Sequence, residues 1–108
     1  MRGYEKMPYR PITAEELEKK TRSIFEKYNI KKAEVFGSCA KNEMKRGSDI
    51  DLLIEFDNLE NPLQIVEIKR KIENIIRRKV HLITYSSLDH SPFREKILSE
   101  TKVIYEKY

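Results

Sequence analysis

The run Asp49-Ile50-Asp51-Leu52-Leu53-Ile54-Glu55-Phe56 constrains the fold more than any other stretch. Ile50, Leu52, Ile54 and Phe56 alternate with Asp49, Asp51, Leu53 and Glu55. Successive strand side chains point to opposite faces, so this pattern predicts a β-strand with one buried face. Such a strand needs paired neighbours and a covering layer. Ala33–Phe36, short, apolar and followed by glycine, reads as a second strand. Lys79–Thr84 reads as a third, with Val80 and Leu82 on one face and His81 and Ile83 on the other.

Helical signals fall between these strands. Thr13 is placed as an N-cap with Glu16 three residues on, a capping box, and Ile12 and Leu17 sit at the staple positions. Leu17, Ile24 and Tyr28 recur at helical spacing with Phe25 beside them, and Asn29 can end that helix in a left-handed turn. Cys39–Lys45 predicts a short helix, followed by a turn at Arg46-Gly47-Ser48. Leu63–Arg78 is the clearest amphipathic segment, its Ile65, Ile68, Ile72 and Ile75 stepping by three, four and three. Ser91–Pro92 supplies a cap with proline at the first position of a last helix, carried by Phe93, Ile97, Thr101 and Ile104. The predicted order is αβαβαβα, an α/β domain over residues 13–108. Residues 1–12 read as a lead-in, because Pro8 and Pro11 prevent a helix there.

A chain of 108 residues is one domain's worth. Charged residues make up 37%, against about 25% in ordinary soluble domains, yet thirteen isoleucines and ten aromatics can supply a core. The net charge of +4 is compatible with a nucleotide, nucleic acid or an acidic partner. One cysteine, Cys39, excludes a disulfide framework within the chain and reads as a small buried residue. Met1–Arg10 carries no apolar secretory core, and no apolar run nears the ~20 residues that cross a bilayer. The expectation is a soluble cytoplasmic protein, with a homo-oligomer plausible for so thin a core.

The special residues concentrate in one place. Of eighteen acids fourteen are Glu and four are Asp, and two of those Asp stand at 49 and 51. Two of the three glycines, Gly37 and Gly47, flank the same stretch. Gly37 lets a strand turn sharply into a helix, whose free N–H groups suit an anion. Ser38 adds a hydroxyl donor, and Lys41, one turn in, can reach a phosphate. Asp49 and Asp51 share a strand face, ~7 Å apart along the chain. Two short carboxylates on a rigid strand suit an oxygen-preferring cation such as Mg²⁺. A phosphate cradle beside paired carboxylates is what metal-assisted phosphoryl or nucleotidyl transfer requires. The plainer alternatives are a helix-capping turn at Gly37–Ser38 and a solvated strand edge at the two aspartates. The basic group Arg70, Lys71, Arg77, Arg78 and Lys79 reads as a solvated helix face, so nucleic-acid binding is not expected.

The segment Gly37-Ser38-Cys39-Ala40, followed by Asp49-Ile50-Asp51 and an apolar strand, resembles the signature of the polymerase β-like nucleotidyltransferases. Chain length and element order resemble their smallest form, the minimal nucleotidyltransferase (MNT) family. The resemblance implies a small mixed β-sheet flanked by helices, the nucleotidyltransferase fold. It implies that Asp49 and Asp51 are the catalytic acids and bind two Mg²⁺, and that Gly37 and Ser38, with Lys41 nearby, hold the triphosphate of ATP. It further implies transfer of AMP to a hydroxyl, a tyrosine of a HEPN-domain toxin, with this chain as the antitoxin. Two departures stand out. The Ala-Arg-Gly that often continues the family signature reads Ala40-Lys41-Asn42 here, and the third carboxylate expected on the next core strand is His81 within Val80-His81-Leu82-Ile83. Imidazole is a poor Mg²⁺ ligand and a good one for Zn²⁺, Ni²⁺ or Mn²⁺-like ions, so His81 reads as a supporting or vestigial residue of the metal site more than as a ligand. A binding module that neutralises its partner by occlusion is therefore the alternative reading, and transfer to a small molecule is a weaker third.

Overall fold

The computed structural model describes residues 11–59 and 61–107. The lead-in expected before Pro11 and the terminal Tyr108 lie outside them. The elements are α1 (Ala14–Lys27), β1 (Ile30–Phe36), α2 (Gly37–Ala40), β2 (Ile50–Phe56), α3 (Leu63–Ile76), β3 (Val80–Thr84), α4 (Tyr85–Leu88), α5 (Arg94–Ser99) and β4 (Lys102–Glu106). The strands form one mixed sheet in the order β3-β2-β1-β4. β1 lies antiparallel to both β2 and β4, while β2 and β3 run parallel through the α3 crossover. A small mixed sheet flanked by helices is the expected class.

α1 begins where the cap residue stands: Thr13 Oγ1 accepts the Glu16 backbone N–H at 3.1 Å. It ends at Tyr28, with Asn29 in the left-handed region at φ 55°. α1 and α3 cover one face of the sheet. Leu17, Ile24 and Phe25 of α1 and Ile68, Ile72 and Ile76 of α3 meet Val35, Ile50, Leu52, Ile54, Val80 and Ile104 in the main core. Ile12, within the expected lead-in, is buried in this core as well.

Four expectations are corrected. The isoleucine stripe of α3 follows the four-residue row 68-72-76, so Ile76 is buried and Ile75 is 43% exposed. A three-residue step rotates about 300° and a four-residue step about 400°, and the sheet takes one row rather than both. The second face of β2 is not solvated: Leu53 packs with Phe36 and Leu88 in a smaller cluster, joined by Ile83, Tyr85, Ile97 and Leu98. The last helix is split. α5 stops at Ser99, and Lys102–Glu106 pairs with β1 as a strand. Ile104 therefore enters the main core from the sheet, and Phe93 stays 63% exposed. Ser91 caps a turn, its Oγ accepting the Phe93 N–H at 3.1 Å. Finally, the helix expected over Cys39–Lys45 is the single turn α2, closed by Asn42 at φ 57°.

Candidate active site

The predicted residues come from three adjacent strands and two turns. β1 ends at Phe36 in extended backbone, and Gly37 turns the chain into α2 with φ +67°. The turn is held by Lys41 N–H donating to Gly37 O at 3.3 Å and Glu43 N–H to Ser38 O at 2.8 Å. Ser38 is half-buried. After α2 the chain runs to a second turn, where Gly47 has φ +87° and Ser48 Oγ accepts the Lys45 N–H at 3.0 Å. Asp49 follows, exposed, at the mouth of β2.

Register places Asp51 at the centre. It stands opposite Phe36 on β1 and beside His81 on β3. All three therefore project from the same face as the Phe36–Leu53–Leu88 cluster. The carboxylate reaches both neighbours. A Cβ added to Gly37 would lie 2.3 Å from Asp51 Oδ2, closer than any side chain tolerates. On the other side, His81 Nδ1 is 3.3 Å from Asp51 Oδ1. Burial pushes the Asp51 carboxyl above its ordinary range; the His81 hydrogen bond and charge pull it back, and the nearby Asp49 charge adds to the rise.

Gly37, Ser38, Asp49, Asp51 and His81 are thus brought to one end of the sheet. Lys41 is not turned inward; its Nζ pairs with Glu100 Oε1 at 3.1 Å. No local pattern could announce that partner, because Glu100 lies fifty-nine residues on, beyond α5. Cys39 is buried as expected, its Sγ 3.6 Å from Ile12 O, with burial raising the thiol's pKa. Of the basic group on α3, Lys71 lies over the Tyr28 ring at 5.3 Å. A groove between α1 and β4, lined by residues such as Arg22, Glu26 and Val103, holds none of the predicted site residues.

Among the described residues no three His, Cys, Asp or Glu side chains gather as a ready-made metal cage. The donors present do fit a hard cation completed by a substrate: two neighbouring carboxylates, Asp49 and Asp51, the latter packed so close to the Gly37 turn that no Cβ fits between them. Mg²⁺ characteristically binds through one or two carboxylates plus substrate phosphates.

Strand order, glycine turn and paired aspartates together define a nucleotidyltransferase domain. A family model described as polymerase β, nucleotidyltransferase, matches residues 19–108. The chain is 38% identical over 85 residues to a candidate protein adenylyltransferase of Methanocaldococcus jannaschii, MJ0435, covering 79% of this chain and 90% of that protein. It is 30% identical over 81 residues to the protein adenylyltransferase MntA of Thermococcus cleftensis, covering 71% and 82%. A solved structure described as a candidate minimal nucleotidyltransferase superposes with a TM-score of 0.70 at 25% identity, over 84% of this chain and 95% of that one. The fold is also that of a chain in the complex of a tri-AMPylated Shewanella oneidensis HEPN toxin with its MNT antitoxin, at TM-score 0.63 and 13% identity over 88% and 74%. The chain belongs to the minimal nucleotidyltransferases of the polymerase β-like nucleotidyltransferase family.

Proposed function

We propose that this chain is a Mg²⁺-dependent protein adenylyltransferase that transfers AMP from ATP to a tyrosine hydroxyl of a HEPN-domain toxin, acting as its antitoxin in the cytoplasm. The observation that carries this reading is the abutment of Asp51 on Gly37, which puts a carboxylate against the turn expected to seat phosphates. Asp49 and Asp51 would hold the metal, which supplies charge neutralisation on the triphosphate when bound. Gly37 and Ser38 would hold phosphate oxygens with backbone N–H and hydroxyl donors. The acceptor oxygen forms a bond to the α-phosphorus as the bond to the β-phosphate oxygen breaks; pyrophosphate leaves, and the hydroxyl proton passes to solvent. Placement and electrostatics carry this chemistry without a covalent enzyme intermediate. The relatives named as protein adenylyltransferases support the reaction class, and the toxin–antitoxin complex supports the partner class.

The test is incubation with ATP labelled at the α-phosphate, Mg²⁺ and the HEPN protein. Label is expected on the partner, lost with EDTA and lost in Asp49→Asn and Asp51→Asn. His81 at the third acidic position motivates the second reading, neutralisation by occlusion. Inhibition of the toxin without label, unchanged in Asp51→Asn, would establish that instead.

A further inference from the structure

The position where the family expects a third carboxylate is filled by an imidazole that reaches for one of the other two. His81 and Asp51 are register partners on parallel strands, and His81 Nδ1 stands 3.3 Å from Asp51 Oδ1. An ionised carboxylate only accepts hydrogen bonds, so with Asp51 charged the proton of this bond sits on Nδ1. A nitrogen that donates cannot ligate a metal at the same time. The other carboxylate oxygen, Oδ2, is the one packed against Gly37. The two oxygens of Asp51 therefore have separate neighbours, the imidazole on the β3 side and the glycine turn on the β1 side. His81 itself is 61% exposed, whereas the Asp51 side chain is 25% exposed. Substitution at 81 thus changes the bond without opening the core.

We propose that His81 is a positioning residue for Asp51: its Nδ1–H holds Oδ1 and keeps Oδ2 facing the Gly37–Ser38 turn, fixing the carboxylate for the cation that accompanies the nucleotide. The proposal rests on the nucleotidyltransferase reading of Asp49 and Asp51. It assigns position 81 a donor's role, in place of the ligand and proton-acceptor roles a carboxylate would have there. Partners that orient a metal-binding side chain typically govern about 10- to 100-fold in metal affinity or activity.

The test uses two isosteres. Asparagine places its amide nitrogen near the Nδ1 position and can donate, but cannot take up a proton; glutamine places it near Nε2. Mn²⁺ is titrated into the full chain with a non-hydrolysable ATP analogue, and bound ion is read from loss of the free Mn²⁺ EPR signal. His81→Ala and His81→Gln are expected to weaken Mn²⁺ binding by about tenfold or more, and His81→Asn to return it to within about threefold of the native chain. The turnover of AMP transfer should follow the same order. Equal weakening by Asn and Ala, or native affinity in His81→Ala, overturns the proposal. Asp51→Asn separates it from its foundation. If Asp51→Asn also binds Mn²⁺ normally, the two-carboxylate reading falls and this proposal with it. If Asp51→Asn loses the ion while His81→Ala keeps it, the proposal alone falls. Matching thermal melts of the His81 variants keep these outcomes free of folding effects.

Discussion

Gly37→Ala carries two separable penalties. The first is backbone strain, since φ +67° costs an L-residue roughly 1–2 kcal/mol. The second is displacement of the site. The new Cβ would sit 2.3 Å from Asp51 Oδ2, where ordinary contact begins near 3.4 Å, so the carboxylate must retreat by about 1 Å. A misplacement of about 1 Å can cost on the order of a hundredfold in rate, about 2.7 kcal/mol of barrier. Gly47→Ala provides the control, because φ there is +87° but nothing lies within 4 Å of its added Cβ. Both variants should lose comparable stability, on the order of 10 °C in melting temperature. Only Gly37→Ala should lose AMP transfer by about two orders of magnitude, measured with α-labelled ATP at a temperature where both are folded. If Gly37→Ala transfers label within about threefold of Gly47→Ala, close approach of Asp51 to the turn is irrelevant to activity, and the argument fails.

Three further outcomes are expected. Leu53→Ala empties the centre of the second cluster and should cost ~2–5 kcal/mol by denaturant titration, whereas a solvated β2 face would cost almost nothing. Asp51 has a raised folded pKa, so its contribution favours the fold below the unfolded value and is lost as pH rises through the folded value. Asp51→Asn should therefore melt higher than the native chain at pH 7 while abolishing transfer; a lower melting temperature refutes the sign. Asp57 is held below its ordinary range by the Lys107 hydrogen bond at 2.9 Å. That contribution is present above the unfolded pKa and lost as pH falls through the folded one, so Lys107→Met should flatten the acid limb of the stability curve.

The parts of the fold that depend on local chemistry were legible. Thr13 capping α1, Asn29 ending it and the alternation of β2 are each fixed by residues within a few positions. Ile50, Leu52 and Ile54 alternate with Asp51, and that alone aimed the carboxylate at the face His81 shares. What escaped depends on distant partners. Lys102–Glu106 resembles the end of a helix until β1 offers it an edge, and Ile104 scores at either period. Leu53 looks like an exception in an alternating strand until α4 supplies Leu88. Lys41 suits a phosphate by position, yet Glu100 meets it first. Gly37 was recognisable as a turn, but its tight approach to Asp51 follows from the Phe36–Asp51 register, which one strand's sequence does not contain.

β1 sits inside the sheet only because residues 102–106, the last of the described strands in chain order, close its second flank. During synthesis that flank stays raw until β4 has followed the other three strands. A chain interrupted before Thr101 would already own Gly37, Asp49, Asp51 and His81, yet would display an unpaired strand lip of the kind that recruits other strands. β4 is in this sense the seam of the molecule: it carries none of the candidate site residues, yet it closes the strand edge on which another chain could pair.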